Sequence, residues 1–197
     1  MKKTVKKVIS SVLVAAMLLS FVPMSGKLNL PISTKAEAVE LEENGEVGLC
    51  GYRGKYTFDR STGTLKVRGK GMILGSISAE TAPFFNNMEI KHIIVEEGIT
   101  SIGFYLFAGC QAVQDVVLPD GLRKISAGAF YSCSSLYEID IPNSVEEIDY
   151  SAFENCISLA QIELPDGIKE IKSDAFNGTA LGDNAGDEFY IGKYLIS

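Results

Sequence analysis

A phenylalanine returns every 23 residues through most of this chain, at Phe84, Phe107, Phe130, Phe153 and Phe176. Other columns keep the same step. Cys110, Cys133 and Cys156 form one; Val113, Leu136 and Leu159 another; Val116, Ile139 and Ile162 a third. Leu118, Ile141 and Leu164 follow, then Pro119, Pro142 and Pro165, and Ile102, Ile125, Ile148 and Ile171. So many columns in phase constrain the fold more than any local helix or strand signal. Self-similarity at a fixed period of roughly 20–50 residues is the mark of a repeat array, in which each unit buries its apolar face against the next.

Within one unit, Leu136-Tyr137-Glu138-Ile139-Asp140-Ile141 has the L-x-x-L-x-L form of a leucine-rich repeat strand. Leu136, Ile139 and Ile141 are expected to point into a solenoid, and Tyr137, Glu138 and Asp140 to point out. Pro142-Asn143-Ser144, like Pro119-Asp120-Gly121 and Pro165-Asp166-Gly167, then breaks the strand. Val145 and Ile148 return inward, and a compact turn closes on the Ala129, Ala152 and Ala175 column beside the phenylalanines. Leu106 takes the alanine place in the earlier repeat. The fold class is therefore a mainly β repeat solenoid of 23-residue units.

The N-terminus does not belong to that array. Lys2, Lys3, Lys6 and Lys7 precede an apolar run from Val8 to Val22, and Ala36-Glu37-Ala38 offers small residues for cleavage. This is the pattern of a secretory signal peptide. The run of about 15 residues is short of the roughly 20 needed to span a bilayer, so no membrane insertion is expected after cleavage. No cysteine follows the run closely, which argues against a lipid anchor. The expected division is 1–38 signal peptide, 39–47 linker, 48–83 an N-terminal β module capping the array, and 84–197 the solenoid. Phe189–Ile196 reads as a tight hairpin about Gly192-Lys193 that either caps the C-terminal end or opens a longer array cut short at Ser197.

Cleavage at residue 38 removes six lysines and Glu37, leaving 12 Lys+Arg against 24 Asp+Glu, a formal charge of −12. That balance disfavours nucleic acid and anionic membranes as partners. The basic residues that remain are concentrated near the N-terminal module, at Arg53, Lys55, Arg60, Lys66, Arg68 and Lys70. Lys55–Phe58 and Thr64–Arg68 read as strands joined by a loop at Asp59-Arg60-Ser61-Thr62-Gly63. The glycine-rich run Gly69–Gly75 lacks the spacing of a phosphate loop. In an exported chain four cysteines suggest disulfides, but three of these share one inward column and are expected to pack as free thiols.

At these residues the chain resembles the BspA-type leucine-rich repeat proteins of bacterial surfaces. The resemblance covers about residues 48–197. It is carried by AFYSC and AFENC, by strands ending in LPDG or IPNS, and by the VEEI and IKEI pairs that follow. The run CGYRGKYTFDRSTGTLKVRGKGM, followed by APF, is similar to the module preceding repeats in that family. Departures are Leu106-Phe107 for Ala-Phe, and Asn87 and Thr179 in place of cysteine. The resemblance implies a secreted or wall-associated bacterial protein that binds other macromolecules, often in adhesion.

No catalytic set is evident. His92 is the only histidine, and a Cys/His nucleophile or zinc cluster needs more than one outward-facing partner. A Ser-His-Asp triad would need a serine and a carboxylate such as Asp115 converging on His92. Asp115, Glu138, Asp140 and Glu163 raise the question of calcium, but side-by-side carboxylates on a flat sheet do not wrap one ion. No metal or cofactor is expected, and no enzyme activity.

What remains is the outward sheet face: Lys91, His92 and Ile94; Gln114, Asp115 and Val117; Tyr137, Glu138 and Asp140; Ala160, Gln161 and Glu163. Solenoids bind through such extended faces. Tyr137 beside Val117 and Ile94 is expected to form an apolar anchor with a carboxylate rim. The expected function is an exported, non-catalytic module binding protein or cell-surface ligands. The alternative is a structural or targeting domain of a larger wall-associated enzyme or adhesin truncated at Ser197. No oligomeric state is read from the sequence.

Overall fold

The computed structural model describes residues 45–49, 54–181, 189–191 and 194–196, with side chains over 54–181. The expected signal segment, Cys50 and the turn Gly192-Lys193 lie outside the described residues. The chain begins with an antiparallel meander of β1 (Gly45–Leu49), β2 (Gly54–Asp59) and β3 (Thr64–Gly69). Asp59 accepts from the Ser61 backbone N–H (2.9 Å) and hydroxyl (2.6 Å), which shapes the β2–β3 turn. β1 starts inside the stretch expected to be a linker. That expectation rested on acidity and absent periodicity, and antiparallel pairing requires no repeat phase.

β4 (Gly71–Ile73) follows, then a single 3-10 turn at Ala79–Thr81. Each coil thereafter contributes two short strands. The first set is β5 (His92–Val95), β7 (Asp115–Val117), β9 (Glu138–Asp140) and β11 (Gln161–Glu163); the second is β6 (Ile99–Ile102), β8 (Lys124–Ile125), β10 (Glu147–Ile148) and β12 (Glu170–Ile171). β13 (Phe189–Ile191) and β14 (Tyr194–Ile196) pair antiparallel, as the hairpin reading expects.

The two strand sets make two parallel stacks. One sheet runs β1-β2-β3-β5-β7, with β9 and β11 paired beside one another as a separate two-stranded sheet. The other runs β12-β10-β8-β6-β4. From β5 onward, partners across the first stack are residues 23 apart, such as His92 and Asp115. The meander joins out of that phase, with Lys66 opposite Ile94.

The core lies between the stacks. Leu136, Ile139, Ile141, Val145 and Ile148 are all buried, while Tyr137, Glu138 and Asp140 are exposed. Ile162, Leu164 and Ile171 are only partly buried, because they belong to the last described coil. The phenylalanines stack from Phe84 to Phe176 with ring centroids 5.9, 5.4, 5.3 and 5.3 Å apart, and Tyr56 meets Phe84 edge-on at 5.0 Å. Burying each ring is worth roughly 1.5–3 kcal/mol.

The cysteine column is explained by the same stacking. Each thiol donates to the phenylalanine carbonyl of the preceding coil: Cys110 to Phe84 (3.2 Å), Cys133 to Phe107 (3.3 Å) and Cys156 to Phe130 (3.1 Å). All three are free and fully buried. A small, mostly apolar side chain with one weak donor fits this place. Thr179 instead bonds the Phe176 carbonyl of its own coil at 2.8 Å and ties nothing to its neighbour.

Two further columns escape a reading by residue type. Tyr105, Gly128, Ser151 and Asp174 all have φ between 52° and 63°, and Asn86, Gly109, Ser132, Asn155 and Gly178 all lie between 55° and 71°. These left-handed residues flank each Ala-Phe turn and bend the chain from one stack to the next. At the opposite turns the proline carbonyls accept from Leu122 (3.0 Å), Val145 (3.0 Å) and Ile168 (3.3 Å).

Candidate functional site

The outward face of the first stack is built by period-2 alternation. Ile93, Val116 and Ile139 fill the core, so their neighbours on β5, β7 and β9 must face solvent. The 23-residue step then aligns these neighbours into rows across the strands. One row is Lys91, Gln114, Tyr137 and Ala160; the next is His92, Asp115, Glu138 and Gln161; the third is Ile94, Val117, Asp140 and Glu163. His92 and Ile94 are half-buried and the others exposed.

The expected apolar anchor divides in two. Ile94 and Val117 are direct cross-strand partners, and Val117 is 54% exposed. Tyr137 belongs to another row, three positions from Asp140 and so about 10 Å along the strand. Its hydroxyl accepts from Gln161 Nε2 at 3.1 Å, toward the coil on the far side from Val117. A ligand touching both would therefore cross the face diagonally.

His92 Nδ1 lies 2.6 Å from Asp115 Oδ2. Thr64 is the cross-strand partner of His92 on its other side, and its hydroxyl is engaged by Thr62 at 2.8 Å. Among the described residues no serine or cysteine lies within hydrogen-bond distance of His92. A histidine–carboxylate pair without a nucleophile fixes a ring and a charge; it does not assemble acyl-transfer chemistry. Nor do three or more His, Cys, Asp or Glu side chains close on one point among the described residues.

Charge separates the two stacks. On the second, Arg123 and Lys169 both bind Glu146, at 3.0 and 2.6 Å. Lys124 contacts Glu147 at 2.6 Å and Asp149 at 3.0 Å, while Lys172 pairs with Glu170 and lies over the Tyr150 ring. The Lys169 ammonium holds the Glu146 carboxyl below its ordinary range. Burial pulls Lys124 down, but its bonds to Glu147 and Asp149 outweigh this and leave it raised. On the first stack, Glu138, Asp140 and Glu163 have no cation within ion-pair distance among the described residues.

On the next strand of the same sheet, Lys66 and Arg68 on β3 also point outward. A column reading does not reach them, because β3 pairs with β5 at a register other than the repeat step. The alternation of buried Leu65 and Val67 with exposed Lys66 and Arg68 is the signal that places them.

The sequence of residues 79–186 matches, in six copies, the family model described as the BspA type leucine rich repeat region. No curated protein matches the chain. Among solved structures, a leucine-rich repeat protein from Eubacterium ventriosum is similar at 21% identity and a TM-score of 0.51, over 68% of this chain and 42% of that one. The T. pallidum leucine rich repeat protein is similar at 25% identity and a TM-score of 0.47, over 70% of this chain and 66% of that one. The pneumococcal vaccine antigen PcpA is similar at 21% identity and a TM-score of 0.46, over 64% and 33%.

Proposed function

The chain belongs to the BspA type leucine-rich repeat family, and from that premise we propose that it is an exported, non-catalytic module that binds a protein at a cell surface. Leucine-rich repeat domains of this kind are binding and surface-associated rather than catalytic. The observation that carries the reading is the contrast between the two stacks. One outer face neutralises its charges within itself; the other leaves Glu138, Asp140 and Glu163 unpaired beside exposed Tyr137 and Val117. Unpaired carboxylates around partly exposed apolar residues suit a basic protein surface, with the apolar groups as anchors and the acids as rim.

In this reading residues 1–38 direct export, the 48–83 module closes one end of the array, and the 189–196 hairpin belongs to the other end. Lys91, His92, Ile94, Gln114, Asp115, Val117, Tyr137, Glu138, Asp140, Gln161 and Glu163 form the contact surface. A second reading is a targeting or structural domain of a larger wall-associated protein. The chain spans 42% of the length of the Eubacterium ventriosum protein.

The test is binding of labelled protein to intact and protease-treated cells, measured by flow cytometry. Tyr137→Ala/Asp140→Ala is expected to reduce binding to intact cells at least about tenfold, and Glu146→Gln on the other stack to leave it unchanged. Equal binding by the double variant moves the site off this face.

A further inference from the structure

The described cations fall into two groups. Arg60, Arg123, Lys124, Lys169 and Lys172 each reach a carboxylate, and His92 reaches Asp115. Lys66, Arg68, Lys70 and Lys91 reach none among the described residues, and the first three lie together. Lys66 and Arg68 alternate on β3, about 6.6 Å apart on one side of the strand, and Lys70 follows the strand directly. Lys55 on β2 is the direct cross-strand partner of Arg68 and is likewise exposed.

Arg68 and Lys70 do not merely project into solvent. Lys55, Arg68, Gly69, Lys70 and Glu97 line an open depression of about 570 Å³ at the edge of the meander. Glu97, the only acid in that lining among the described residues, receives the Asp120 backbone N–H at 3.4 Å. A carboxylate in such a place repels an anionic group but accepts from a hydroxyl. The lining thus asks for a ligand carrying both fixed negative charges and hydroxyl groups.

We infer that this edge binds a linear, hydroxyl-bearing polyanion, a sulfated glycan or a polyol-phosphate polymer, with Lys66, Arg68 and Lys70 each engaging one anionic group. Lysine and arginine recognise sulfate and phosphate through charge-assisted hydrogen bonds. The net charge of −12 expected after signal removal repels a polyanion from the rest of the solenoid and confines it to this end. The inference is independent of the protein-binding face, since none of its residues belongs to that surface.

The test is capture of the full chain on immobilised dextran sulfate, poly(glycerol phosphate) and neutral dextran, across a salt series. Capture is expected on one or both charged polymers and not on dextran, the preferred polymer telling sulfate from phosphate. Affinity is expected to fall steeply with salt, with a log–log slope of about −2 to −3 for three contacts. Lys66→Gln/Arg68→Gln/Lys70→Gln is expected to weaken capture at least about tenfold and flatten that slope, with unchanged thermal unfolding. Lys169→Gln, an exposed lysine on the second stack, is expected to change capture less than about twofold. Capture undiminished in the triple variant, or absent at low salt, overturns the inference. Self-association of the wild-type chain without polymer, lost in the triple variant, also overturns it, in favour of a second copy's acidic rows.

Discussion

The ring of Tyr105 lies so close over Gly128 that a β-carbon added there would sit 2.2 Å from Tyr105 Cε1. The two residues occupy the same left-handed column in successive coils, with φ of 52° and 63°. Gly128 is therefore held by both conformation and contact. Gly128→Ala is expected to destabilise by about 1–3 kcal/mol. Gly121→Ala, with nothing within 4 Å of its added carbon, is expected to be within about 0.5 kcal/mol of wild type. Urea titration of the two variants checks this; equal midpoints would remove the contact from any role in stability.

Phe130 stacks on a ring at each side, at 5.4 and 5.3 Å, whereas Phe176 has one such neighbour among the described residues, at 5.3 Å. Phe130→Ala is expected to cost about 3–5 kcal/mol. Phe176→Ala is expected to cost less, because stability in a repeat array sums over neighbouring interfaces. Equilibrium denaturation giving under about 1 kcal/mol for Phe130→Ala would contradict its central place in the stack.

Burial pushes the Cys110 thiol from its ordinary 9.0 up to about 12. Cys133 is pushed up too, by the adjoining Cys156 thiol and by burial. The unfolded chain releases these protons near pH 9 while the folded one retains them. Stability is then fully present below pH 9 and falls as pH rises from about 9 toward 12. The three buried thiols are expected to resist alkylation at pH 8 until denaturant is added. Alkylation of native protein at the denatured rate would show the column to be open.

Lys124 joins Glu147 to Asp149, and Asp149 is a buried acid at 7% exposure. Lys124→Met leaves Asp149 with the Tyr150 N–H, which it accepts at 2.9 Å. The expected cost is about 1–3 kcal/mol. Glu146 is half-buried but its ion pairs with Arg123 and Lys169 lie at the surface, and Glu146→Gln is expected to shift thermal unfolding only slightly and less at high salt. Calorimetry at two ionic strengths separates the two cases.

The solenoid was legible because one side-chain type fills one place in every coil. Phe130 and Cys133 announce their columns directly. The left-handed columns were not legible, since Tyr, Gly, Ser and Asp share a backbone angle and nothing else. The face was legible as a set of outward positions, but not as rows. That Tyr137 reaches Gln161 rather than Val117 depends on register between strands. Lys66 and Arg68 stayed outside the column reading because β3 enters the sheet out of step with the repeats.

The uniform step between partners gives the chain something like a reading frame. Gln161 pairs with Glu138, and Glu170 with Glu147, at the same offset. Removing residues 130–152 would delete one coil and leave every later inward residue facing inward. Removing one residue fewer would shift the remaining strands by one position and turn their apolar faces outward. For this molecule the damage from a deletion is set by its remainder on division by 23, and the number of residues lost matters less.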